Sequence, residues 1–177
     1  FEDGLRSAKT ELELLHIAAN DLRRLVGARQ AIILRANSSG KFSVSCISSI
    51  VLSDKDTPFI RWIEGMIAQM ASEQDAGKPT AFDLPAFVNS DDEETWKYPF
   101  SHFYWQPLTL KSGQAFAGIL FAREQPWPEP QRKLINREGG AVAPCWQALY
   151  REASLVPKKL LTKNIRAFTV IIRLILP

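Results

Sequence analysis

FYWQPLTLKSGQAFAGILFARE, residues 103–124, is the stretch on which the reading of this chain turns. Two apolar runs, HFYWQPLTL (102–110) and QAFAGILFARE (114–124), flank the short polar segment KSG. Aromatic-rich apolar runs of strand length, interrupted by a glycine turn, predict a β-hairpin. Successive side chains of a strand point to opposite faces, so Phe103 and Trp105 share one face while Tyr104 and Gln106 share the other.

Outward from the hairpin, ARQAIILRAN (28–37) and KFSVSCISSI (41–50) predict two more strands, joined by the tight turn SSG, and TAFDL (80–84) a short one. Three helices are expected around them. In residues 5–27, Leu5, Ala8, Leu12, Leu15, Ala19, Leu22 and Val26 recur at spacings of three and four, one face of a single long helix that Gly27 is placed to end. Residues 57–77 have Thr57 as N-cap, Pro58 at the first helical position and Gly77 at the exit. In residues 127–153, Ile135, Val142, Trp146 and Leu149 face one way, and Pro144 should kink the helix because it cannot donate to the carbonyl four residues back. The resulting class is α+β: a central antiparallel sheet of five or six strands with helices packed on it. Residues 1–154 make one domain; residues 155–177 form a basic linker and the start of an apolar segment.

This element order is similar to that of GAF domains, small sensory modules related to PAS domains. The likeness is carried by the hairpin: an apolar strand, Pro107-Leu108, a glycine turn, and the strand containing Gly118-Ile119-Leu120. WPEPQRKLINREGGAVAPCWQAL (127–149) resembles the family's closing helix, and the likeness extends over roughly residues 10–153. It implies N- and C-terminal helices side by side on one sheet face. It also implies that the other face, roofed by the middle helix and loops, can hold a small molecule. Cys46, Ser48, Phe103 and Trp105 would line that pocket, with Trp62 or Met66 above. The plainer alternative is that the rings fill the space, and five tryptophans in a small domain fill space well. The resemblance further implies a non-catalytic sensory or regulatory role in bacterial signal transduction or, as in some membrane-fusion proteins, secretion. A ligand-free scaffold for protein–protein contacts is the alternative. A homodimer through the terminal helices is expected, because Leu14, Ile17 and Leu25 fall outside the main apolar seam and could meet a partner helix.

Little reactive chemistry is legible. The histidines, His16 and His102, stand in no His-x-x-His or Glu-x-x-His spacing, and no Cys-x-x-Cys occurs, so neither metal nor cofactor is expected. Cys46 and Cys145 lie far apart and read as buried free thiols. A small redox enzyme using either one is the enzymatic alternative, but neither has a base beside it in sequence. GAF proteins that attach a bilin do so at a Cys followed by His, whereas Cys46 precedes Ile47 and Cys145 precedes Trp146. The acidic run Asp91, Asp92, Glu93, Glu94 lacks the alternating oxygen ligands and turn glycine of a calcium loop, and reads as a solvated loop.

Charge is distributed unevenly. The chain has 22 basic and 19 acidic residues, net +3. Lys158, Lys159, Lys163, Arg166 and Arg173 lie in the tail without an acid among them, which leaves residues 1–154 with 17 basic against 19 acidic, net −2. A nucleic-acid-binding globular surface is therefore not expected. The apolar run from Ile165 follows a basic flank, the arrangement found on the cytoplasmic side of a membrane span. The expectation is a membrane-directed segment after Lys158, with the domain on the cytoplasmic face of the inner membrane. Arg173 would be costly near the middle of a span. An interfacial basic helix and a soluble packing helix are the competing readings. The membrane reading predicts that the full-length protein sediments with membranes while a version ending at Val156 does not; fractionation that leaves both soluble refutes it.

Overall fold

The structure, a computed structural model, describes residues 1–50, 57–84 and 99–155, with side chains in the last helix as far as Tyr150. The acidic run at 91–94 and the segment after Leu155, with the membrane expectation attached to it, lie outside the described residues. In chain order the elements are α1 (Glu2–Ser7), α2 (Glu11–Leu25), β1 (Gln30–Ala36), β2 (Phe42–Ile47), α3 (Pro58–Glu73), β3 (Thr80–Asp83), β4 (His102–Thr109), β5 (Ala115–Arg123) and α4 (Glu129–Leu155).

The hairpin forms as its sequence requires. Trp105 pairs with Leu120 and Gln106 with Ile119, and Gly113 takes up a φ of 87° in the turn. β1 then pairs with β5, giving a five-stranded sheet in the order β2-β1-β5-β4-β3 with every neighbouring pair antiparallel. Both faces are covered. On one, α1, α2 and α4 bury Ile33, Tyr104, Leu108, Ile119 and Phe121. On the other, α3 covers Ile32, Leu34, Phe103, Trp105 and Leu120. The terminal helices therefore share a face, as expected.

The single helix expected over residues 5–27 is two helices. Ala8 is extended (φ −60°, ψ 127°), and the second helix starts anew at Thr10. The Thr10 hydroxyl accepts from the Glu13 N–H, and the Glu13 carboxylate accepts from the Lys9 N–H. A Thr-x-x-Glu capping pair thus satisfies donors that a helix start leaves open, and makes the break favourable. The break changes which residues face inward. Leu12 is 75% exposed and Leu14 fully buried, the reverse of the expected seam; Ile17 packs half-buried on the core. Pro144 lies inside α4, which continues as helix on both sides of it.

Glu11, at the first turn of α2, ties the layer together. Its Oε1 accepts from Trp146 Nε1 (3.1 Å) and the Tyr150 hydroxyl (2.8 Å) of α4, and from Arg35 of β1 (3.2 Å). Arg35 also stacks over the Tyr150 ring. Losing a charged acceptor shared by three donors, in a half-exposed setting, should cost about 1–2 kcal/mol. Glu11→Ala is expected to lower the urea midpoint accordingly, with Glu11→Gln recovering part of the loss; an unchanged midpoint for both would show the hub to be without weight.

Candidate functional site

The α3-covered face is where the family resemblance implies a ligand pocket. Period-two alternation along β4 carries Phe103 and Trp105 to that face, and both are fully buried. The Phe103 ring stacks on Phe82 of β3 at 5.4 Å, and Trp105 meets the edge of Phe42 at 5.2 Å. Trp105 Nε1 donates to the carbonyl of Ala76, just past α3, at 2.9 Å, so its one polar atom is satisfied. From α3, which begins where the Thr57 hydroxyl accepts from the Ile60 N–H, Trp62 and Met66 join the same cluster. Four of the six expected lining residues therefore come together.

What lets them fit is Gly118. It pairs with Pro107 on β4 and Leu34 on β1, and a Cβ placed on it would lie 2.1 Å from Trp105 Cη2. The indole thus rests on bare β5 backbone. Glycine inside a strand signals such a close approach, so this contact was open to a reading of AFAGILF alone.

The other two residues are elsewhere. Ile33 pairs with Cys46 but Leu34 pairs with Val44, so Ser45 is an extra residue, a β-bulge. One extra residue reverses the alternation. Phe42 and Val44 face α3, whereas Cys46 turns to the terminal-helix face. Placing Cys46 beside Phe103 is thus corrected, and burial pushes its thiol up toward the inert neutral form. Ser48 clamps the start of β1: its Oγ accepts from the Ala31 N–H at 3.0 Å, and its own N–H donates to the Ala31 carbonyl at 2.8 Å.

Further titratable groups are dispersed. Cys145 is half-buried on α4, and burial pushes its thiol up as well, with Arg6 opposing. His102 pairs through Nδ1 with Asp83, its cross-strand partner on β3. Among the described residues no three His, Cys, Asp or Glu side chains gather as metal ligands. Sequence reasoning did not find an open cleft of about 370 Å³ between the hairpin and α4, lined by Gln106, Lys111, Gly140, Pro144 and Gln147 among others. Gln106 is 5% exposed, its Nε2 donates to the Pro107 carbonyl, and its Oε1 has no partner among the described residues. A lone glutamine in an apolar strand gains meaning only when the helix over it is known.

No family model matches the sequence, and no curated protein sequence matches it. Solved structures do match the fold. A GAF domain of a phosphoenolpyruvate-protein phosphotransferase from Coxiella burnetii superposes with a TM-score of 0.63 at 9% identity, covering 86% of this chain and 92% of that one. A GAF domain/HD domain protein from Geobacter sulfurreducens gives 0.58 at 13% identity, covering 85% and 98%. A domain assigned to a two-component sensor histidine kinase from Sinorhizobium meliloti gives 0.62 at 10%, covering 83% and 97%. The chain has the GAF-domain fold.

Gly118→Ala should destabilise by about 1–3 kcal/mol, the usual cost of forcing a packed ring from its place. In a double-mutant cycle with Trp105→Leu, the loss should be smaller than the sum of the single losses. Strict additivity in urea unfolding would show that the ring does not depend on the bare backbone.

Proposed function

We propose that this chain is a non-catalytic regulatory module of GAF type, acting through protein contacts of its terminal helices on the cytoplasmic face of a bacterial membrane. The observation that carries this reading is the closed packing of Phe103 and Trp105 beneath α3. Among the described residues, the side chains that would line a ligand chamber pack on one another, with Phe103 and Trp105 at 0% exposure. The terminal-helix layer, by contrast, presents apolar surface outward: Leu12 is 75% exposed beside the Glu11 hub, and Leu25 is 46% exposed near the end of α2. That surface supports self-association, although the residues offering it differ in part from those the apolar spacing picked out, since Leu14 is buried.

A second reading, a small-molecule sensor in a signalling or secretion assembly, is favoured by the fold neighbour assigned to a sensor histidine kinase. A ligand beneath α3 would then have to displace Trp105 from Gly118 or sit above Trp62 and Met66. The membrane half of the proposal rests on the basic flank and apolar run of residues 158–177 alone; among the described residues no helix is long and apolar enough to cross a membrane.

Sedimentation of residues 1–156 should show a concentration-dependent dimer that Leu12→Asp weakens, while a thermal-shift screen of metabolites leaves the melting temperature unchanged. A strict monomer at high concentration removes the scaffold reading. A stabilising metabolite whose effect is lost in Trp62→Ala establishes the sensor instead.

A further inference from the structure

We propose that the cleft between the α2–β1 turn and the β5–α4 connection binds a phosphate-bearing small molecule. The cleft holds about 330 Å³ and is lined by Arg23, Arg24, Arg29 and Arg123 against a single carboxylate, Glu124. It shares no residue with the cluster beneath α3, and the inference does not rest on the regulatory reading.

Arg123 is the central observation. It is 8% exposed, yet every acceptor it meets among the described residues is a neutral oxygen: the Gln125 carbonyl at 2.8 Å from Nε, Gln131 Oε1 at 2.6 Å from Nη1, and the Pro126 carbonyl from Nη2. Its guanidinium also stacks over the Trp127 ring, 4.0 Å from the centroid. A buried charge ordinarily has a counter-charge, because desolvation is expensive without one. Among the described residues none is supplied, and burial pulls the guanidinium down from its ordinary range.

Arg23 is the second observation. Its Nε is buried without a hydrogen-bond partner, and its Nη1 reaches only the Arg29 carbonyl, at a long 3.4 Å. Arg29 grips both oxygens of Glu124 at 3.1 Å, and Arg24 holds Asp21 loosely at 3.7 Å. Arg23 and Arg24 stand in the last turn of α2, where positive charge offsets the helix dipole. That accounts for their position but not for the orphaned Nε or for Arg123.

The ligand class follows from the donors. Backbone N–H groups of Gly27, Ala28 and Arg29 are already bonded to the carbonyls of Arg24, Arg23 and Ala122. Recognition therefore falls to guanidinium forks, whose paired donors match the oxygens of phosphate. With Arg29 paired to Glu124 and Arg24 to Asp21, the guanidinium groups of Arg23 and Arg123 are left in excess, and a phosphate dianion neutralises that pair better than a single carboxylate does. The volume admits a phosphate with a short organic tail.

The test is calorimetric titration of the 177-residue chain with inorganic phosphate and with glycerol 3-phosphate, alongside acetate and chloride, all at one ionic strength. Saturable binding of one phosphate per chain is expected, with little heat from acetate. Arg23→Gln should weaken it about tenfold, as loss of a charge-assisted contact does, and Arg123→Gln at least as much. Should Arg123→Gln fail to fold by circular dichroism, Arg23→Gln and Arg24→Gln decide the matter. Phosphate binding no tighter than acetate, or indifferent to Arg23→Gln, overturns the site. A phosphoserine peptide binding more tightly than either small phosphate overturns the assignment to a small molecule.

Discussion

Burial of the sheet on both faces is the constraint on which this molecule depends. Every residue from Phe103 to Leu108 in β4 is buried, as is every residue from Ala117 to Arg123 in β5, so neither strand has a solvent face. Each side chain must then suit the helix layer it meets, and a slip of one residue would exchange the two cores. The Trp105 ring against bare Gly118 fixes that register most tightly, because the indole has room only where β5 carries no side chain. Pro107 opposite Gly118 and Tyr104 opposite Phe121 follow from the same ladder.

The two layers differ in what holds them. Beneath α3, contacts are ring on ring and aliphatic on ring, with the Trp105 indole N–H on the Ala76 carbonyl among its polar links. Under the terminal helices, polar ties are frequent: Glu11 binds α4 and β1, Tyr104 donates to Asn136, and Gln147 donates to the Thr109 carbonyl. Directional bonds of this kind set how one helix lies on another, which apolar contact alone leaves loose. The arginine-lined cleft adds an electrostatic feature that the net charge conceals. Residues 1–154 are slightly acidic as a whole, yet four arginines from α2, the α2–β1 turn and β5 converge at one place.

The candidate lining residues show how far local pattern reaches. Phe103 and Trp105 share the α3-covered face because β4 alternates without interruption there, and Trp62 and Met66, which the family resemblance sets above them, lie in the same cluster. Cys46 was misplaced because the extra residue at Ser45 reverses the phase, and nothing in FSVSCI distinguishes a bulged strand from a regular one. The α1–α2 break was legible: Thr10 and Glu13 are a capping pair, but the three-and-four spacing of apolar residues running through them suggested continuity.

Sequence by itself determined the class of the fold, the hairpin and its faces, the start of α3 (its end falls at Glu73, short of the Gly77 that the sequence suggests), and the absence of any spaced metal motif, because each is a matter of local period, turn chemistry or spacing. Tertiary structure decided the order of the strands, the phase of β2, the meeting of Glu11 with Trp146 and Tyr150, and the gathering of Arg23, Arg24 and Arg29 with Arg123. The β1–β5 pairing, the Glu11 ties and the arginine cluster each join residues far apart in the sequence, and are fixed by which surfaces can be buried together. The bulge is local in sequence, yet it too is fixed from outside, since only pairing with β1 on one edge reveals which residue of β2 is left without an opposite number.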